Sequence, residues 1–261
     1  MVKMIDLSGK KRVVIKVGTS NIAHKTGNIN IRRVENLVRV IADIQGSGRE
    51  VIFVTSGAIS VGMARMNIQS RPSDTTGKQA CAAIGQSALM NIYDNEFAKY
   101  NRTVAQILMT RDVISNRERR QNVKNTLERL LAMGVIPIIN ANDTVSLEEL
   151  DFDENDTLSA MVARLAEAHL LIMFTDVDGL YDKNPAEPGA KLIPVVERVT
   201  QEMIHAAAGK GTELSSGGMV TKLEAAVLAK EDGIPSVILN GERLEILYDL
   251  FENKAVCTVF V

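Results

Sequence analysis

The chain is sparing in the residues that announce metal, redox or disulfide chemistry. Its 261 residues include only two cysteines and three histidines. Cys81 and Cys257 lie far apart and match no metal-ligand or disulfide spacing, which fits a reducing, cytoplasmic setting. His24, His169 and His205 fall in no catalytic or ligand spacing, so chemistry that needs a strong general base is disfavoured. Excess positive charge is missing too. Lys and Arg total 30 against 32 Asp and Glu, a formal net charge of −2, which leaves no basic footprint for nucleic acid. No apolar run approaches the roughly 20 residues that span a bilayer. The N-terminal MVKMIDLSGKK lacks the apolar centre of a secretion signal. Two familiar nucleotide loops are also absent, since neither GxGxxG nor GxxxxGK[ST] follows the first apolar run. What these absences leave is a soluble cytoplasmic protein with no nucleic-acid or membrane partner, holding any nucleotide by another device.

An apolar fraction of 46% is ample for a core, and the length favours one large domain over residues 1–261. Short β-branched runs alternate with stretches of helical period. The patterns predict strands over Val13–Val17, Val51–Thr55, Val104–Leu108, Val135–Ile139, Leu170–Thr175, Ser236–Leu239 and near Val256–Phe260. They predict helices over about Ile31–Gln45, Lys78–Tyr100, Arg119–Met133, Thr157–Ala168 and Met219–Asp232. The strands are nearly all apolar rather than alternating, as expected where helices cover both faces of a mainly parallel sheet. Pro185, Pro188 and Gly189 mark a surface loop. Polar clusters follow the strands in KVGTS, TSGAIS, NANDT and TDVDGLY. In an open parallel sheet the carboxyl ends share one rim, where ligands bind.

Two lysines stand where stability alone disfavours them. Lys16 interrupts the apolar run VVIKV, and a desolvated ammonium is costly unless paired. Lys222 falls in the first turn of the helix announced by SSGGMVTKLEAAVLAK, where a cation opposes the macrodipole. Each has an ordinary reading alone, Lys16 snorkelling from a strand end and Lys222 solvated on a helix surface. Together, beside glycine-rich turns, they read as a pair gripping a polyanion, with backbone N–H groups of Gly217 and Gly218 as an anion site.

Asp143, Asp151, Asp153 and Asp156, with Asn155 among them, supply carboxylates nearby. Asp151-x-Asp153-x-Asn155 matches the opening of a calcium loop, but Asp156 replaces the required glycine and Val162 the closing glutamate, so no protein metal site is expected. Asp156 is expected to N-cap the following helix. A carboxylate beside two lysines would also hold both ammonium groups in register. The scarcity of histidine suits a carboxylate acceptor, because phosphoryl transfer onto an ionised carboxylate needs positioning, charge neutralisation and Mg2+ more than proton abstraction. The basic stretch TRDVISNRERRQNVKNTLERLL lacks interleaved aromatics and mixes its charges, so it reads as a solvated helix face rather than an RNA surface.

In order along the chain stand KVGTS, VTSGAISVGM, AAIGQSALMNIYDNEF, LMTRDVISNRERRQNVKNTLERLL, IPIINANDTV, NDTLSA, TDVDGLY and GGMVTKLEAA. From about Lys11 to Phe260 this series strongly resembles the amino-acid kinase family, and within it the members that phosphorylate glutamate. TDVDGLY and GGMVTK are family-wide, whereas KVGTS, TSGAI, GQSALMNIY and the TRD…RERRQNVKNTL block are more discriminating. The resemblance implies a three-layer αβα sandwich with a mainly parallel central sheet. It implies transfer of the γ-phosphate of ATP, with Mg2+, to the γ-carboxylate of L-glutamate, forming L-glutamyl 5-phosphate in the first step of proline biosynthesis. By the same resemblance Lys16 and Lys222 stabilise the transferring phosphoryl group, and Asp156 orients the two lysines. Ser56, Asp143 and Asn155 match glutamate-binding positions, with the backbone of Gly57 and Ala58 brought toward the substrate. Lys16, Thr175, Asp176, Ser216, Gly217, Gly218, Met219, Val220, Thr221 and Lys222 match the ATP site. Proline as a feedback inhibitor at or near the glutamate site is a further implication. So is a homo-oligomer, dimer or tetramer, with the helix around Lys78–Tyr100 as a candidate surface.

Two departures stand out. Many relatives have GTGGM where this chain has SSGGM, so Ser215 replaces a glycine and the nucleotide loop is expected to differ in shape. Many glutamate-phosphorylating relatives carry a C-terminal PUA domain, for which this length leaves no room. Competing readings are a family member acting on a nucleoside monophosphate, an isoprenoid phosphate, acetylglutamate or aspartate, and a non-catalytic sensor on the same scaffold. TSGAIS has no arginine for an acceptor phosphate, and KVGTS is not the KFGGTS expected for aspartate. A sensor would not need Lys16, Lys222 and Asp156 together.

Overall fold

In chain order the elements are β1 (Arg12–Val17), α1 (Thr19–Ile22), α2 (Ile31–Gly46), β2 (Glu50–Thr55), α3 (Ala58–Arg65), α4 (Thr75–Ala98), β3 (Val104–Met109), α5 (Asp112–Ser115), α6 (Arg117–Ala132), β4 (Ile136–Ala141), α7 (Asn155–Leu165), β5 (Leu170–Thr175), β6 (Val195–Val196), α8 (Gln201–Ala207), α9 (Met219–Glu231), β7 (Ser236–Asn240), α10 (Ile246–Phe251) and β8 (Thr258–Phe260). The computed structural model that defines them describes residues 6–24, 26–110, 112–145, 155–207 and 218–261. The strands form an eight-stranded sheet in the order β3-β4-β2-β1-β5-β7-β8-β6. Each neighbouring pair is parallel except β7 with β8. The mainly parallel αβα architecture expected from the sequence is therefore the one observed.

Strand β1 divides the sheet. The chain builds β2, β4 and β3 on one side of it, then crosses to β5 and β7 on the other. Such a reversal opens a crevice at the carboxyl ends of the strands, the usual ligand position in open α/β sheets.

The period of two along β1 sorts its side chains. Val13, Ile15 and Val17 enter the layer that packs with Leu37 and Ile41 of α2 and Leu89 and Tyr93 of α4. Val14 enters the opposite layer with Leu158 and Val162 of α7 and Leu223 and Ala226 of α9. Lys16, two residues beyond Val14, therefore points toward α7 and α9. Arg12 lies on the same face at the far end of the strand. There it binds Glu50 at 2.6 Å, Glu128 at 2.5 Å and the Ala166 carbonyl at 2.5 Å. The four apolar residues of β1 are fully buried. At about 1.5–3 kcal/mol each, their burial sustains a strand that carries one buried cation.

The helices start where short polar side chains meet their first turns. Asn30 accepts from the Arg33 N–H at 3.2 Å for α2, and Asn116 from the Arg119 N–H at 3.0 Å for α6. Asp74 accepts from the Gly77 N–H at 2.7 Å and starts α4 at Thr75, three residues before the expected Lys78. Helix α6 buries Leu127 and Leu131 and exposes most of its remaining surface, in keeping with the solvated-face reading. Among the described residues no helix is long and apolar enough to cross a membrane.

Candidate active site

The strand that delivers Lys16 to the carboxyl rim delivers it to a carboxylate. Lys16 Nζ lies 2.6 Å from Asp156 Oδ1, and Lys222 Nζ donates to Asp156 Oδ2 at 3.0 Å. Thr221 Oγ1 donates to the same Oδ2 at 2.8 Å. All three ionic side chains are out of water: Lys16 is 5% exposed, Lys222 4% and Asp156 0%. The snorkelling and solvated-surface readings of the lysines therefore fall. Asp156 is also not the N-cap expected of it, because α7 already begins at Asn155 and its side chain crosses to the two lysines.

Burial alone would raise the Asp156 pKa. The charges of Lys16 and then Lys222, with their hydrogen bonds, outweigh it and hold the group at about 2. The carboxylate stays ionised at neutral pH and holds both lysines, one at each oxygen. The first turn of α9 adds its positive macrodipole end at the same place. Two lysines held side by side at the start of a helix are suited to an anion with several oxygens. Gly18, the next residue but one after Lys16, has φ −82°, which any residue adopts. A Cβ there would sit 3.7 Å from Lys16 Nζ, an ordinary contact, so neither backbone nor space demands a glycine at this position.

On the β2–β4 side of β1, Asn155 closes a second polar group. Its Nδ2 donates to the Thr55 carbonyl at 2.8 Å, to Ser56 Oγ at 2.6 Å and to Asn140 Oδ1 at 3.0 Å. Asn140 Nδ2 donates in turn to Gln86 Oε1 at 2.8 Å. Gly57 holds φ +99° as it turns the chain from β2 into α3, a conformation that favours glycine. A Cβ on Gly62 would lie 1.9 Å from the Cys81 carbonyl oxygen, and one on Gly85 1.7 Å from that of Ala58. Helices α3 and α4 thus meet backbone to backbone, which fixes the Ser56–Ala58 turn above the rim. Asp143 is half-buried in the turn that follows β4.

On the β5–β7 side, Thr175 ends β5 half-buried and its hydroxyl donates to exposed Asp176 at 3.2 Å. Asp178 accepts from Asn240 at 2.9 Å and from Tyr181 at 3.3 Å, which ties the turn after β5 to the end of β7. Gly218, Met219 and Val220 are half-buried at the start of α9, followed by buried Thr221 and Lys222. The expected site positions Ser216 and Gly217, the departure at Ser215, and the carboxylates Asp151 and Asp153 lie outside the described residues.

Reading the residues from the sequence singled out Lys16, Lys222 and Asp156, which the fold brings into contact, but not Gln86 or Asn140. For Asn140 the signal was present: like Lys16, it is a polar residue ending an apolar strand.

Known proteins resemble the chain in sequence and in fold. A model of the amino acid kinase family matches residues 11–240. The chain is 44% identical to the glutamate 5-kinase of Clostridium perfringens, over 98% of this chain and 97% of that one. It is 46% identical to the glutamate 5-kinase of Clostridium acetobutylicum, over 98% and 96%. Among solved structures, carbamate kinase from Giardia lamblia bound to AMP-PNP superposes with a TM-score of 0.67 at 14% identity, covering 98% of this chain and 99% of that one, a likeness of fold. The chain belongs to the amino acid kinase family and, within it, to the glutamate 5-kinases.

Proposed function

We infer that the chain transfers the γ-phosphate of ATP to the γ-carboxylate of L-glutamate, giving L-glutamyl 5-phosphate, the first step of proline biosynthesis. The observation that carries the reading is the buried Lys16–Asp156–Lys222 cluster on the carboxyl rim. Both Asp156 oxygens are engaged and its pKa is near 2, so it does not act as a general base. That suits an acceptor that is itself an ionised carboxylate and has no proton to lose.

In this reading the acceptor lies on the β2–β4 side, against Ser56, the backbone of Gly57 and Ala58, Asp143 and Asn155. The nucleotide lies on the β5–β7 side, against Thr175, Asp176 and the segment 216–222. The phosphoryl group passes between them over β1. Lys16 and Lys222 meet the charge that spreads over its oxygens, and Asp156 keeps both ammonium groups aimed at it. Mg2+ fits as a passenger on the ATP phosphates. Asp156 is already occupied by its lysines, and the ATP phosphate oxygens would supply ligands to the ion. When bound, Mg2+ neutralises phosphate charge.

The same reading makes residues 1–261 one kinase domain and the cytoplasm its compartment, consistent with two free cysteines. It makes proline a feedback ligand of the acceptor side. It also makes the protein a homo-oligomer through α4, where Ile84 remains exposed. The test of the reaction is trapping: with ATP, Mg2+, L-glutamate and hydroxylamine, the acyl phosphate is captured as glutamyl hydroxamate. Turnover with a different acceptor and no hydroxamate from glutamate would refute the reading.

A further inference from the structure

Helix α1 follows β1 on the rim and turns its residues to opposite sides. A Cβ on Gly57 would meet Ile22 Cδ1 at 3.1 Å and Thr19 Oγ1 at 3.6 Å, so these two face the acceptor side. Asn21 faces the other way. A Cβ on Gly241, just past the end of β7, would lie 2.1 Å from Asn21 Nδ2 and 3.3 Å from Phe174 Cβ of β5. Gly241 does not have a positive φ, so its backbone makes no demand for glycine. It leaves the room that the Asn21 amide fills. The other end of that amide reaches toward Lys16. Asn21 Oδ1 and Lys16 Nζ lie 3.9 and 3.7 Å from one point, the place of a Cβ on Gly18. Asn21 is only 5% exposed. Among the described residues neither atom of its amide has a hydrogen-bond partner, yet neither is sealed from solvent. A nearly buried amide without a partner is costly unless a ligand supplies one.

Resting on the function inferred above, we propose that Asn21 is a further nucleotide-binding residue, whose amide nitrogen donates to an oxygen of the β-phosphate of ATP. The γ-phosphate leaves for the acceptor side past Lys16, whereas Asn21 stays seated against Gly241 on the nucleotide side. Its place fits the phosphate that stays behind. With no protein partner to fix it, the amide is free to turn its nitrogen to that oxygen. A hydrogen bond from a neutral donor to a charged phosphate oxygen is among the stronger ones, and it adds no charge beside Lys16. The same bond is made to ATP and to ADP, so Asn21 serves nucleotide affinity and not recognition of the acceptor.

The experiment is calorimetric titration with AMP-PNP, ADP and AMP, each with and without Mg2+. Asn21→Ala is expected to weaken AMP-PNP and ADP alike, by about tenfold or more, the effect of one hydrogen bond to a charged oxygen. AMP, which has no β-phosphate, should change by less than about twofold, as should the glutamate KM. Asn21→Asp keeps the shape but sets an anion against the phosphate, so it should weaken ADP further than Asn21→Ala does. Gly241→Ala drives the amide from its seat without removing it. It should weaken ADP in the parent chain and add nothing in an Asn21→Ala background, so the test does not hang on one variant folding. An unchanged ADP affinity in Asn21→Ala would overturn the proposal, as would an equal loss for AMP. So would a loss confined to AMP-PNP, a loss seen only with Mg2+, or additive effects of the two substitutions. Failure of the unaltered chain to bind either AMP-PNP or ADP would instead refute the function on which the proposal rests, and the proposal with it.

Discussion

Charge arithmetic at the buried cluster predicts that its three members are not equivalent for stability. Lys16 and Lys222 both contact the carboxylate of Asp156. Replacing Lys222 by Met keeps a side chain of similar volume and leaves Asp156 its contact with Lys16. The expected cost is about 1.5 kcal/mol or less. Replacing Asp156 by Asn takes from both buried ammonium groups the carboxylate they contact. Removing the partner of a buried charge costs about 3–5 kcal/mol. For a chain of this size each kcal/mol moves Tm by about 2–4 °C, so Asp156→Asn should lower Tm by roughly 6–20 °C, and Lys222→Met by about 6 °C or less.

The pH dependence has a fixed sign. The folded pKa of Asp156 lies below the ordinary aspartate value of 3.8, at about 2, so its contribution is complete above about pH 4 and lost as pH falls toward 2. The gap between the parent protein and Asp156→Asn should therefore narrow over that window, by about 2 kcal/mol. Urea unfolding of the ligand-free proteins at pH 7 and at steps down to pH 2.5 measures both effects. Equal losses in Asp156→Asn and Lys222→Met, or a gap that does not change below pH 4, would refute the reasoning.

In steady-state assays, Lys222→Met should lower kcat by about 10²–10³ while the glutamate KM changes little, because the ammonium acts on the charge of the transferring group. A rise in KM alone would remove that role. Asp143→Ala should do the reverse, raising the glutamate KM about tenfold or more with kcat nearly retained, and an unchanged KM would dismiss it as an acceptor-side residue. Gly85→Ala forces a Cβ to within 1.7 Å of the Ala58 carbonyl oxygen, so α3 must move off α4. It should destabilise by about 3 kcal/mol or more in urea unfolding and raise the glutamate KM by displacing the Ser56–Ala58 turn. Parent-like stability and KM would show that the two helices are not held by this contact.

The central strands were legible because burial on both faces writes an unbroken apolar run. β1 and β2 differ from their expected spans by one residue at the start, and β5 not at all. β4 runs on to Ala141, two residues past its expected end, because Asn140 interrupts the apolar pattern but stays in the ladder opposite Leu108. Helix α3 was not expected. Its sequence AISVGMAR is short and rich in small residues, and its packing partner is the backbone of α4 rather than the sheet. Two-residue β6 and short α8 and α10 carry too few residues to show a period. Lys16 and Lys222 were legible for the opposite reason, each being a charge where local rules resist one. Their shared contact with Asp156 depends on α7 and α9 crossing the same face of β1, which spacing along the chain does not reveal. Gln86 was hidden because a polar residue in a long helix ordinarily means solvent, and α4 mixes small, polar and apolar residues without a clear apolar stripe.

The most direct test of the account follows one oxygen atom. With L-glutamate carrying 18O in the γ-carboxylate, attack on the γ-phosphorus of ATP releases ADP and places a labelled oxygen between carbon and phosphorus. Hydroxylamine then attacks the acyl carbon, breaks the carbon–oxygen bond and frees phosphate that keeps the labelled oxygen. The account predicts one 18O in the released phosphate for each hydroxamate formed. ADP and phosphate released without label would mean that water or another group, not the γ-carboxylate of glutamate, had taken the phosphoryl group.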